Sequence, residues 1–273
     1  MRTLIVTPYH RESRAVIERC IASVAAQTVA VDHLLVADGH AADFIDALPV
    51  RHLRLDREHG DAGNTPRSAG MLIGIAEDYD AIGLLDTDNW FDADHVAACQ
   101  AVAVDCDYVA ARRRFVRPDG SVLPIAEDAP DRHVDTSCYL FLPGSFAVLP
   151  VWGLMPKPVS PIGDWVFHAA AQARGLRRAA TDRATVNYTV TVRYFYDRLG
   201  ETPPPEAKDG ADYAAIRGWT EGLDAAGRAA LRARLGFDLH WRELTGPLTV
   251  VPGCRPAAGP PPRSARPAPT RSR

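Results

Sequence analysis

No excess of basic charge marks this chain of 273 residues: the formal net charge is −3, which argues against a dedicated nucleic-acid binder. The five cysteines (Cys20, Cys99, Cys106, Cys138, Cys254) are scattered, odd in number and without C-x-x-C spacing. That excludes a disulfide framework or a cysteine zinc site and predicts free thiols in a reducing compartment. Only Arg2 precedes the strand-like run Thr3–Val6, too short an apolar stretch for a signal peptide, so a cytoplasmic location is expected. The uncharged stretch Tyr139–Pro156 is cut by Pro143, Gly144, Pro150, Gly153 and Pro156, and reads as buried strand and loop, not as a membrane span. No internal repeat is visible.

What is present is ordinary for a globular protein, 47% hydrophobic and 24% charged residues, enough for one large domain with an appendage. β-branched runs alternate with helical periodicity. Strands are predicted at 3–7, 31–37, 50–55 and 82–86, with helices at 11–27, 41–48, 65–78 and 92–104. Thr65 is the predicted N-cap of the third helix, with Pro66 at its first position. This spacing indicates βαβ units with right-handed crossovers. Beyond Asp105 the rhythm predicts a hairpin of 108–115 and 121–125 around Arg117-Pro118-Asp119-Gly120, a strand at 136–142, a helix at 162–174 and a last strand at 185–194. Pro203-Pro204-Pro205 marks a boundary; residues 201–250 form a polar helical appendage and 251–273 a disordered Pro/Arg-rich tail whose arginines weakly favour an anionic membrane surface.

The chemistry concentrates at Ile82–Trp90. An apolar run reads as a buried strand that delivers Asp86 and Asp88 to the carboxyl edge of a parallel sheet, where open α/β folds bind ligands. Two such carboxylates repel unless neutralised, and a hard divalent cation with oxygen ligands, bridging substrate phosphates, would do so. A solvated acidic turn is the plain alternative. Asp92 and Asp94 are expected to cap the next helix, Asn89 and Trp90 lie close enough to contact a bound ligand, and Arg112-Arg113-Arg114 reads as a solvated face.

In order along residues 2–190, LIVTPYHRESRAVIERCIASVAAQT, LLVADGH, GNTPRSAG, LLDTDNWFDADHV and PIGDWVFHAAAQARGLR resemble the successive motifs of family 2 glycosyltransferases. The resemblance implies a GT-A-type, Rossmann-like α/β domain over 1–200, with a mixed, mostly parallel sheet flanked by helices. It divides that domain into a nucleotide-binding half at about 1–105 and an acceptor half at about 106–200. It further implies inverting transfer of a sugar from a nucleotide-diphosphate donor, UDP-linked as first choice, with Mn²⁺ or Mg²⁺ as cofactor. On this resemblance Asp88 ligates the metal and Asp86 touches the ribose or the metal through water. Asp38 accepts from the nucleobase in a pocket lined by Thr7, Pro8 and Tyr9. Arg67, near a helix N-terminus, meets phosphate or helps close the site. Asp164 is the base that takes the acceptor's proton, although its place at a helix start also suits an N-cap; Trp165 packs at the acceptor side or in the core.

The chain departs from the family pattern at Ala37 (for the first acid of a pair), His40 (for serine) and Gly163 (for glutamate). A glycan, a lipid-linked sugar or a small molecule all remain open as acceptor. Two other classes stay in play: a binding module that kept the fold without turnover, and a haloacid-dehalogenase-type phosphatase, in which the first Asp of D-x-D is the nucleophile.

Overall fold

The structure, a computed structural model, describes residues 1–125 and 134–241. Its eight strands are β1 (Thr3–Tyr9), β2 (Val31–Ala37), β3 (Arg51–Arg54), β4 (Ala81–Leu84), β5 (Trp90–Phe91), β6 (Tyr108–Val116), β7 (Tyr139–Phe141) and β8 (Arg178–Thr189). They form one sheet in the order β3-β2-β1-β4-β7-β6-β8-β5. The first four are mutually parallel, β7 runs antiparallel to both β4 and β6, β6 and β8 are parallel, and β5 closes one edge antiparallel to β8. This is a mixed, mostly parallel sheet flanked by helices, an α/β fold as expected.

Every residue of β1 is buried, as a central parallel strand covered on both faces requires. Helix α1 (Arg14–Ala25) buries Ile17, Cys20, Ile21 and Val24 at helical spacing. Helix α2 (Asn64–Ala76) lies closer to the sheet, because two of its glycines leave room for strand side chains. A Cβ at Gly70 would stand 2.4 Å from Val6 Cγ1 and 3.2 Å from Val36 Cγ2. Both valines are fully buried, so they cannot yield, and overpacking of this kind outweighs the gain in helix propensity. Gly70→Ala is therefore expected to destabilise the protein by about 1–3 kcal/mol. Thermal unfolding should show a fall in Tm of several degrees; an unchanged or raised Tm would mean that the helix backs off freely.

Helices α3 (His95–Val102), α4 (Val151–Leu154), α5 (Gly163–Ala173), α6 (Arg193–Leu199), α7 (Tyr213–Gly222) and α8 (Ala225–Leu235) complete the described elements. Several expected boundaries move. Gly63, at φ 79°, holds the N-cap position of α2, and the cap acceptor is Asp61 Oδ2, which takes the Thr65 amide at 3.0 Å and its hydroxyl at 2.5 Å. The Arg117–Gly120 turn forms, but its second arm reaches only a single bridge, Val116 to Val122, since Pro124 has no amide to extend a ladder. The last strand instead begins at Arg178, paired with β6, and residues 193–199 are helical rather than extended. Residues 43–47 form a 3₁₀ turn in place of the short helix, and 136–138 another before β7.

Cys20, Cys99, Cys106 and Cys138 are buried, and Cys20 and Cys99 are free thiols, as expected. No helix among the described residues is long and apolar enough to cross a membrane; the stretch 139–156 holds β7, one 3₁₀ turn and α4. The expected tail at 251–273 lies outside the described residues.

Candidate active site

The D-x-D segment leaves β4 at the carboxyl edge, and its shape is fixed by side chains outside it. The Asp86 amide donates to Ser137 Oγ at 3.1 Å, and Asn89 Nδ2 donates to the same oxygen at 2.9 Å. Thr87 Oγ1 donates to the Pro8 carbonyl at 3.1 Å, tying the turn to the end of β1. The Asp88 carbonyl accepts from Arg19 Nη2 at 2.8 Å and from Thr189 Oγ1. Asn89 is thus spent on scaffold, its Oδ1 taking the Thr189 amide at 2.9 Å, and is too buried to reach a ligand.

The two carboxylates of the motif have different surroundings. Asp86 Oδ1 accepts from Arg67 Nε at 3.1 Å and Nη2 at 2.6 Å. The third guanidinium nitrogen donates to the Ala62 carbonyl at 2.7 Å and to Asn64 Oδ1 at 3.2 Å. Arg67, expected to meet phosphate or help close the site, is buried and fully engaged here, and its charge neutralises Asp86. Asp88 takes no hydrogen bond or ion pair on its carboxylate among the described residues. Burial first, then the charges of Asp86 and Asp135, push its carboxyl up to about 7.

Asp135 is the member that motif reading misses. It precedes β7, caps the Ser137 amide at 2.9 Å, and pairs with Arg113 at 3.5 Å. Burial holds its own carboxyl above the ordinary range, and its charge acts on both Asp88 and Asp164. Arg113 lies across the rings of Tyr188 and Phe115, at 4.8 and 4.9 Å from their centroids. Asp86, Asp88, Asp135, Asp164, Arg113 and Tyr188 therefore gather at one edge of the sheet.

Asp164 sits inside the first turn of α5, where Ile162 holds the N-cap position without a side-chain bond. Its Oδ1 accepts the Trp165 amide at 3.0 Å. Amide and helix dipole favour the anion by a few tenths to 1 kcal/mol, yet burial and Asp135 outweigh them and raise the carboxyl to about 7. His168, one turn on, is buried and held neutral, its pKa lowered to about 4 chiefly by burial.

The departures at Ala37 and Gly163 have steric reasons. Ala37 is fully buried in the sheet. A Cβ at Gly163 would lie 2.8 Å from Asn64 Oδ1 and 2.9 Å from Trp152 Cζ3, so the space a glutamate would need is already filled.

At the far end of the edge, Asp38 Oδ1 accepts from the His59 amide at 3.1 Å and from His59 Nδ1 at 2.7 Å. Thr7, Pro8 and Tyr9, expected to line a base pocket, are all buried. Thr7 Oγ1 meets His33 Nε2 at 2.9 Å, and Tyr9 OH meets His52 Nε2 at 2.7 Å. Their side chains are sheet core, because successive positions of β1 are covered from both faces. Asp94 holds the N-cap position of α3 as expected, but without a side-chain cap bond: the carboxylates of Asp92 and Asp94 pair with Arg114 (2.8 Å) and Arg183. Arg112–Arg114 is accordingly a paired, partly buried segment and not a solvated face.

The oxygen-only donor set at Asp86 and Asp88 suits a hard divalent cation, and the raised Asp88 carboxyl is the kind of group such a cation would relieve. Among the described residues, however, only His10, His40 and Glu58 bring three ligand atoms within 4.8 Å of one another. A metal on Asp88 and Asp86 would need donor phosphates to complete its shell.

The fold is shared with S. aureus TarS. Residues 1–349 of TarS in complex with UDP-GlcNAc align at TM-score 0.57 and 14% identity, covering 86% of this chain and 71% of that one. The UDP complex of the same fragment aligns at 0.53 and 15%, covering 86% and 70%. Against a longer TarS structure the values are 0.52 and 13%, and this chain spans 43% of it. No family profile and no curated protein matches the sequence. At these identities the likeness shows the fold alone.

Proposed function

We propose that this protein is a metal-dependent, inverting glycosyltransferase that moves a sugar from a UDP-sugar to an acceptor hydroxyl. One observation carries the reading: Asp88 and Asp164, from distant parts of the chain, share a carboxylate neighbour at the ligand-binding edge of a fold also found with UDP-GlcNAc bound. The nucleotide-binding half is about 1–105 and the acceptor half about 106–200. Asp38 marks the base end and Asp86 the ribose or a metal-bound water; Arg67 acts through Asp86. Mn²⁺ or Mg²⁺, held by Asp88 with Asp86, supplies charge neutralisation for the departing diphosphate. Asp164 accepts the acceptor's proton as the new bond forms. The acceptor is a glycan, a lipid-linked sugar or a small molecule, and the protein works in the cytoplasm.

Purified protein incubated with Mn²⁺ and a panel of UDP-, GDP- and dTDP-sugars is expected to release UDP slowly from one donor, with the release lost on chelation. Binding without release, whatever acceptor is supplied, would favour the binding module. Inorganic phosphate released from phosphomonoesters would favour the phosphatase.

A further inference from the structure

Away from the acidic cluster, three side chains from three separate loops converge. His10 follows β1, His40 follows β2, and Glu58 comes from the loop after β3. The close approach is built by Gly39, at φ 76°: a Cβ there would lie 2.3 Å from the Glu58 amide nitrogen and 2.4 Å from the Arg57 carbonyl carbon. No other residue allows the 57–58 backbone to pass over the end of β2. Glu58 Oε2 then lies 3.2 Å from His10 Nε2 and 3.2 Å from His40 Nε2.

The protons of this cluster do not balance. His40 Nε2 stands 2.9 Å from Arg11 Nη2, toward which it can only accept, and 3.2 Å from Glu58 Oε2, toward which it can only donate. One nitrogen cannot do both. His10 Nε2 is buried and makes no aligned hydrogen bond. Two imidazole nitrogens and one carboxylate oxygen thus face one another, all within 4.8 Å.

We propose that His10, His40 and Glu58 form a binding site for a borderline divalent transition ion, with Zn²⁺ as the best-matched species. Two imidazoles and a carboxylate are a donor set for such an ion, unlike the all-oxygen set at Asp86 and Asp88. Ligands of a tetrahedral zinc at about 2.0–2.1 Å stand about 3.3 Å apart, close to the two N···O separations found here. The side chains are 34%, 37% and 47% exposed, which leaves the fourth position to water. Arg11, 64% exposed, is free to swing away when the ion enters. A bound ion would tie together the three loops beside Asp38 and His59. The site shares no ligand with the Asp86–Asp88 pair, and it does not depend on the transferase reading.

Calorimetric titration of the chelator-stripped full chain with Zn²⁺ tests this. One zinc per chain is expected, weakened at least about tenfold in H10A and in H40A, the lower end of what even outer-shell partners of a metal cost. D88N should leave zinc affinity unchanged, whereas R11A, which keeps all three ligands and removes the competing cation, should tighten it. Circular dichroism confirms that each variant is folded. Absence of binding in the wild type, binding that survives in the H10A/H40A double variant, or equal or weaker binding in R11A would each overturn the site.

Discussion

Asp164→Asn is expected to lower kcat by about 10²–10⁴-fold, the usual contribution of a positioned base, while donor affinity stays within about twofold of wild type. The separation follows from its place on α5, outside the D-x-D turn, and from its proposed action on the acceptor. Single-turnover product formation with saturating donor, set beside calorimetric donor binding, checks it; a donor affinity that falls in step with kcat would reassign the residue. The pH profile adds an independent sign. A base must be ionised, and burial with Asp135 holds this carboxyl up to about 7, so wild-type rate should rise through about pH 7. Stability runs the other way. The folded-state value lies above the unfolded one, so the stabilising protonation is full below about pH 4 and lost as pH rises through 7. The Asn variant should therefore unfold at a higher temperature than wild type at pH 8 and at the same temperature near pH 3.

Asp86 and Asp88 should separate just as sharply, in opposite directions. Asp88→Asn is expected to abolish metal-dependent turnover, by about 10²-fold or more, and to cut Mn²⁺-dependent donor affinity to its metal-free level. It should also stabilise the protein above pH 7, because the carboxyl it replaces is raised to about 7 and is costly to ionise. A full shift from near 4 would amount to about 4 kcal/mol, and partial solvation reduces this to roughly 1–2 kcal/mol. Asp86→Asn instead leaves the buried Arg67 without its counter-charge. Breaking a buried pair from one side costs about 3–5 kcal/mol, so this variant should lose several degrees of Tm at neutral pH. Thermal melts of the two variants across pH 4–8 decide the matter. Equal and parallel losses would mean that Arg67 serves both carboxylates alike.

Much of the architecture was legible from local signals. β1, β2, β4 and helices α1, α2 and α5 announce themselves through periodicity, since burial on one or both faces of an element writes its period into adjacent residues. The same locality placed Asp86 and Asp88 at a carboxyl edge. Where local signals competed with tertiary pairing, the pairing won: the turn at Arg117–Gly120 suggested a hairpin partner for β6, whose long partner is β8. Arg112–Arg114 read as a surface because charge is local, whereas the aspartates that bury it lie elsewhere in the chain.

By itself, then, the sequence determined the alternation of strand and helix and the two carboxylates that end β4. Only the tertiary structure decided what surrounds them. Because β7 enters the middle of the sheet antiparallel, its beginning falls beside the end of β4, and Asp135 and Ser137 arrive at the site with no motif to announce them. The parallel pairing of β6 with β8 brings Arg113 and Tyr188 to the same edge. Arg67 pairs with Asp86, and His10, His40 and Glu58 meet across a missing Cβ at Gly39. Such partnerships join residues far apart in the chain, and spacing carries no record of them.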